Sequence, residues 1–117
     1  MSENNVSAGS VNPGLKSYHF RLEEHNGERS YSYDYLIYAK DENDAHRIAR
    51  EYASDFYGDG GVKVEEDCWE FDCGAIAVEI ERLQEMAESE YARMFFDIGH
   101  VLNPHGAKLP KHIHLDA

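Results

Sequence analysis

Apolar and polar positions alternate with a period of two from Tyr31 to Ile37. There Tyr31, Tyr33, Tyr35 and Ile37 take turns with Ser32, Asp34 and Leu36. That is the pattern of a half-buried strand rich in aromatics. After Ala39 the period lengthens, and Ala45, Ile48, Ala49, Tyr52 and Phe56 fall at steps of three and four. This spacing predicts one apolar stripe on a helix from about Asp41 to Tyr57. Asp41 is placed to cap it, with Asp44 three residues on, and the run Gly58-Asp59-Gly60-Gly61 stops it.

The same alternation precedes this unit. Tyr18, Phe20 and Leu22 interleave with His19, Arg21 and Glu23, and Asn26-Gly27 supplies a hairpin cue. A turn centred on Asn26-Gly27 sets Tyr18 opposite Tyr35, Phe20 opposite Tyr33 and Leu22 opposite Tyr31. On the other side His19 then meets Asp34 and Glu24 meets Arg29. Beyond the glycines, Val62 and Val64 mark a short strand, Trp69 and Phe71 a second, and Ile76, Val78 and Ile80 a third. A Cys73-Gly74 turn pairs Phe71 with Ile76 and Trp69 with Val78. From Leu83 the spacing is helical again through Met86, Ala87, Tyr91, Met94, Phe95, Ile98 and Leu102, ending near Gly99 or at Asn103-Pro104.

The order β-β-α-β-β-β-α predicts an α+β fold, an antiparallel sheet built from two hairpins with helices packed on one face. Residues 1–14, rich in Ser, Asn, Gly and Pro, read as a disordered tail. Residues 15–103 read as a single domain, and 104–117 as a flexible, histidine-containing tail. A chain of 117 residues accommodates one modest core. No apolar run approaches the ~20 residues that a membrane helix needs. The N-terminus lacks the apolar stretch of a signal peptide, so a cytoplasmic location is expected.

Charge changes the picture most. Eleven basic residues against 23 acidic ones leave a formal charge of −12, which disfavours nucleic acid and anionic membrane as direct partners. From Asp55 through Glu90 there are twelve acids and two bases, so this segment holds most of the excess. In the second hairpin, Glu70, Asp72, Glu79 and Glu81 fall on the face opposite Trp69, Phe71, Ile76 and Val78. Strand residues two apart project carboxylates about 6.5–7 Å from one another, comparable to successive phosphates of a nucleic-acid strand. Against this stands the ordinary reading of a solubilising acidic surface.

Other constellations carry less. Cys68 and Cys73, with four residues between them, do not make the close pairs of a zinc site. His100, His105, His112, His114 and Asp116 are metal-type residues, but on a tail that binding would have to order. His19 with Asp34 has the form of an acid/base pair without a nucleophile beside it. Gly58-Asp59-Gly60-Gly61 follows a helix, where a phosphate loop precedes one. The aromatic face of Tyr18, Phe20, Tyr31, Tyr33 and Tyr35 reads as core rather than a base-stacking platform. No enzyme activity, catalytic residue, metal or cofactor is expected.

In size, charge and its acidic strands of the Glu70/Asp72/Glu79/Glu81 type, the chain resembles the small anti-CRISPR and other anti-defence proteins of phages and mobile elements. The resemblance implies a non-enzymatic inhibitor that mimics nucleic acid. Its partner would be a basic protein or nucleoprotein effector such as a CRISPR-Cas complex, met by Glu66, Glu70, Asp72, Glu79, Glu81 and Glu85. Two further classes compete. One is a self-associating module that uses the apolar surface of the final helix (Met94, Phe95, Ile98, Val101 and Leu102). The other is a metal-binding protein that uses His105, His112 and His114.

Overall fold

The computed structural model describes residues 12–58, 60–95 and 100–109. Two long strands, β1 (Lys16–Asn26) and β2 (Arg29–Ala39), lead into α1 (Glu42–Ser54). Three further strands follow, β3 (Val62–Glu65), β4 (Cys68–Phe71) and β5 (Ile76–Glu85), then α2 (Glu88–Phe95) and β6 (Val101–Leu102). The strands form one six-stranded sheet in the order β3-β4-β5-β1-β2-β6. Four of its pairings are antiparallel, and β6 joins β2 in parallel, so the sheet is mixed. The fold is α+β.

Hairpin β1–β2 keeps the expected faces but not the expected partners. Gly27 and Glu28 form its turn, and the register pairs Tyr18 with Ile37, Phe20 with Tyr35 and Leu22 with Tyr33. The physical reason lies in the backbone. Gly27 alone takes positive φ here, at 67°, whereas a turn centred one residue earlier needs it at Asn26 as well. Glycine bears that conformation without cost to a Cβ. The shift moves each partner by two positions, so every side chain keeps its face. Hairpin β4–β5 has the register its pattern predicts, Phe71 with Ile76 and Trp69 with Val78. Its turn closes with the Ala75 amide donating to the Asp72 carbonyl at 3.0 Å.

The helices lie on opposite faces of the sheet, not on one. Phe20, Leu22, Tyr35, Ile37, Trp69, Phe71 and Val78 cluster with Ala45, Ile48, Ala49 and Ala53 of α1. The intervening strand residues Leu36 and Tyr38 cluster with Met86 and Tyr91 on the other side, where α2 sits. Leu36 and Tyr38 are as buried as their neighbours, so the lower half of β2 is apolar on both faces. The strict alternation read from Tyr31 to Ile37 ends there.

Helix α1 starts as its sequence predicts. Asp41 Oδ1 accepts the Asp44 amide at 2.8 Å, and Asp44 Oδ2 accepts the Lys40 amide at 2.9 Å, a reciprocal cap. The chain then returns over Trp69 and Phe71 at Gly61, where a Cβ would lie 2.6 Å from Phe71 Cζ. The second helix is shorter than its periodicity predicts. Leu83 belongs to β5, which runs on to Glu85 beside Tyr18 and buries Leu83 against the α1-side core. Val101 and Leu102, expected on the helix, form β6 instead.

Residues 104–109, read from sequence as the start of a tail, lie against the domain. His105 Nε2 donates to Asp44 Oδ2 at 2.7 Å, and the Lys108 amide donates to Asn12 Oδ1. Ala107 is buried in the α2-side cluster. The readings made for residues 1–11 and 110–117 fall outside the described residues.

Candidate functional site

Helix α2 covers one end of its sheet face, above Leu36 and Tyr38. Toward the β1–β2 turn the same face carries a polar surface. Register decides what lies there. Glu23 pairs with Glu79 across β1–β5, Glu79 pairs with Cys68 across β5–β4, and Glu70 pairs with Ala77. Paired residues share a face, so Glu23, Glu70 and Glu79 look the same way, opposite Trp69 and Phe71. Glu81 lies beside them, 4.0 Å from Arg21.

The six acidic residues expected to act together therefore divide. Glu70, Glu79 and Glu81 share the open face. Asp72 occupies the β4–β5 turn, with φ of 56°. Glu85 belongs to the opposite face, beside Tyr18, because the β1–β5 pairing shifts by one residue between Arg21 and Leu22. One extra residue reverses the alternation beyond it. Glu66 turns toward α1, where Arg50 lies 3.5 Å from its carboxylate, and Lys63 of β3 lies 4.0 Å from it. The sequence reading missed Glu23. The alternation of β1 sets it on the polar face, but its place beside Glu79 comes from a pairing between distant strands.

Three groups converge on that face. His25 Nε2 lies 3.0 Å from Glu79 Oε2 and 3.7 Å from Glu23 Oε1. Ser30 Oγ is 3.1 Å from His25 Nδ1, and Ser32 Oγ donates to Glu23 Oε2 at 3.2 Å. Among the described residues, neither Glu23 nor Glu79 has a lysine or arginine within ion-pair distance. Cys68 stands across from Glu79, and its thiol is pushed up by partial burial and then by the charge of Glu79. Both cysteines are free thiols.

His19 and Asp34 do meet, diagonally rather than as direct partners. Nε2 donates to Asp34 Oδ1 at 2.7 Å, and Arg21 Nε donates to the same oxygen at 2.9 Å. His19 is 2% exposed and lies against Tyr91 and Phe95. Its Nδ1 has no hydrogen-bond partner among the described residues. A cleft of about 190 Å³ lined by His19, Arg21, Arg82, Met86, Met94 and Phe95 adjoins it. The described residues that line this cleft include no serine, threonine or cysteine.

On the α1 side, Glu24 does not meet Arg29. It is buried, and the hydroxyls of Tyr33 and Tyr57 donate to its two carboxylate oxygens. Tyr33 is pushed up to about 12 by that hydrogen bond and then by burial. Tyr57 is pushed up to about 12 by burial and then by its bond to Glu24. Two oriented donors satisfy the buried carboxylate, which gives it a structural role.

Of the histidines named as a metal cluster, the two that are described make separate contacts. His105 is held by Asp44, and the His100 ring packs on Tyr35 with centroids 5.2 Å apart. His112, His114 and Asp116 lie outside the described residues. Of the apolar surface expected on the final helix, Met94 is exposed and Phe95 half-buried, while Val101 and Leu102 are taken up by β6; Ile98 is not described. No helix among the described residues is long and apolar enough to cross a membrane. Comparison with protein-family models, with curated proteins and with solved structures finds no match to the chain.

Proposed function

We propose that the protein is a non-enzymatic binding module whose acidic sheet face engages a basic surface of a partner protein. The observation that carries this reading is the co-facial set Glu23, Glu70, Glu79 and Glu81 on strands β1, β4 and β5. Backbone pairing on both sides of β5 holds the set rigid. Carboxylates on a sheet keep fixed separations, so a matching array of lysines and arginines meets them without ordering a loop first. An inhibitor of the anti-CRISPR type would use such a face to occupy a groove that otherwise holds nucleic acid. The chain's charge of −12 adds long-range attraction to a basic groove and repels nucleic acid itself.

The test uses the full chain immobilised at low salt over a host lysate. A basic nucleic-acid-binding protein should be retained, be released as salt rises, and lose its nucleic acid while bound. The Glu70→Lys/Glu81→Gln variant should retain it poorly while melting like the wild type. Equal retention by that variant would show that the face is a solubilising surface. Self-association without capture would favour the module reading instead.

A further inference from the structure

We propose that Glu23, His25 and Glu79 form a binding site for a first-row divalent transition metal, zinc in first place. The inference does not rest on the docking role of the acidic face. It rests on a mixed donor set and its spacing. The three donor atoms lie within 4.8 Å of one another, with His25 Nε2 at 3.0 Å from Glu79 and 3.7 Å from Glu23. Ligands about 2.0–2.1 Å from a tetrahedral zinc are about 3.3–3.5 Å apart, so two of the three separations already bracket the required edge. One imidazole with two carboxylates suits zinc better than calcium or magnesium, which take oxygen donors.

The strand register supplies an independent reason. Glu23 and Glu79 are direct cross-strand partners, and like charges in that position repel. No lysine or arginine among the described residues lies within ion-pair distance of either, and a single histidine stands between. A dication at the centre of the triad would reverse this repulsion. Two of the three ligands also have an outer partner that would orient them. Ser32 Oγ holds the far oxygen of Glu23, and Ser30 Oγ faces His25 Nδ1. When the metal takes Nε2, the neutral imidazole carries its proton on Nδ1, where Ser30 Oγ is a ready acceptor. The three side chains are a quarter to two-fifths exposed, so an ion reaches them from solvent while the strands keep them in place. The fourth position remains for water.

The experiment is calorimetric titration of the full chain with zinc, in a His112→Asn/His114→Asn background that removes tail ligands. One equivalent should bind, and calcium and magnesium should bind far more weakly. His25→Ala and Glu79→Gln should each weaken zinc binding roughly tenfold or more, as loss of one ligand in three requires. Zinc should also raise Tm in the parent and leave those two variants unchanged. Undiminished affinity in His25→Ala would overturn the site, as would zinc binding that disappears with the tail histidines alone. Loss of zinc binding in His25→Ala with partner capture intact would uphold the metal site apart from the docking face. Loss of capture with zinc binding intact in Glu70→Lys/Glu81→Gln would do the same.

Discussion

The two faces of the sheet are built from the same strands and solve different problems. On the α1 side, β1, β2, β4 and β5 each contribute buried side chains to one continuous cluster, and Glu24 enters it already supplied with two donors. On the α2 side, apolar cover extends over Leu36, Tyr38 and Tyr91, then gives way to charged groups. One face is fixed by burial, where a lost methylene is felt throughout the core. The other is relieved of that demand along half its length. There residue identity is free to serve recognition or metal binding. In a small domain a single covered face supplies most of the core, and the second can be spent on function.

The comparison breaks most readily on the α1 side. Phe20 is fully buried and stacks on Tyr35 with centroids 5.2 Å apart. Phe20→Ala should cost about 3–5 kcal/mol, the range for deleting a buried aromatic ring. Denaturant melts read it directly, and a loss under 1 kcal/mol would mean that α1 is not packed as described. Tyr91, equally buried, anchors a helix of eight residues on the other face. Tyr91→Ala should cost less, about 2–3 kcal/mol. Its loss should also be local. Hydrogen exchange should quicken in α2 while the amides shared by β1 and β5 stay protected. Uniform loss of protection would show that the two faces unfold as one unit.

Much of the α1 face was legible in the sequence because short-range rules govern it. Alternation places Tyr18, Phe20 and Leu22, helical spacing places Ala45, Ile48 and Ala49, and Asp41 announces the cap. The β4–β5 register followed from a turn in which Cys73 and Gly74 both take positive φ. The β1–β2 turn misled by one residue because Gly27 can serve as the second central residue of one turn or the first of the next, and it takes positive φ in the latter. The pairing of β1 with β5 was not legible. Its partners lie fifty or more residues apart, and local pattern carries no information about which strands meet. That one pairing decides the candidate site. It brings Glu23 and His25 to Glu79, extends β5 through Leu83, and through its shifted register turns Glu85 away. The position of α2 was hidden for a related reason, since Leu36 reads as a polar-face position until a second helix covers it and Tyr38.

A prediction of intermediate size concerns the buried carboxylate that the α1 face tolerates. Tyr33→Phe removes one of two donors to Glu24 and should cost about 1–3 kcal/mol near neutral pH. The sign of its pH dependence follows from the raised tyrosine. A hydroxyl held at about 12 in the folded chain, against about 10 unfolded, contributes stability that is fully present below pH 10. That contribution is lost as pH rises through 12. Melts of wild type and Tyr33→Phe should therefore differ by a constant amount up to pH 10 and converge above it. A gap that persists at pH 12 would assign the cost to packing rather than to the hydroxyl.

The smallest effect belongs to the open face and sharpens the contrast. Glu70 meets no cation within ion-pair distance among the described residues, and Glu81 approaches Arg21 at 4.0 Å, where an exposed pair is worth little. The Glu70→Lys/Glu81→Gln variant reduces the size of a formal charge of −12 by three and removes no buried contact. Its stability should stay within about 0.5 kcal/mol of wild type. The sign should be favourable at low salt, because self-repulsion falls, and the gain should fade as salt screens it. Thermal melts across a salt series measure both the size and the trend. A loss above 1 kcal/mol would show that these carboxylates support the fold, and the two faces would then differ less than their burial implies. A small, salt-sensitive gain leaves the open face free of structural duty, which is the condition a recognition surface needs.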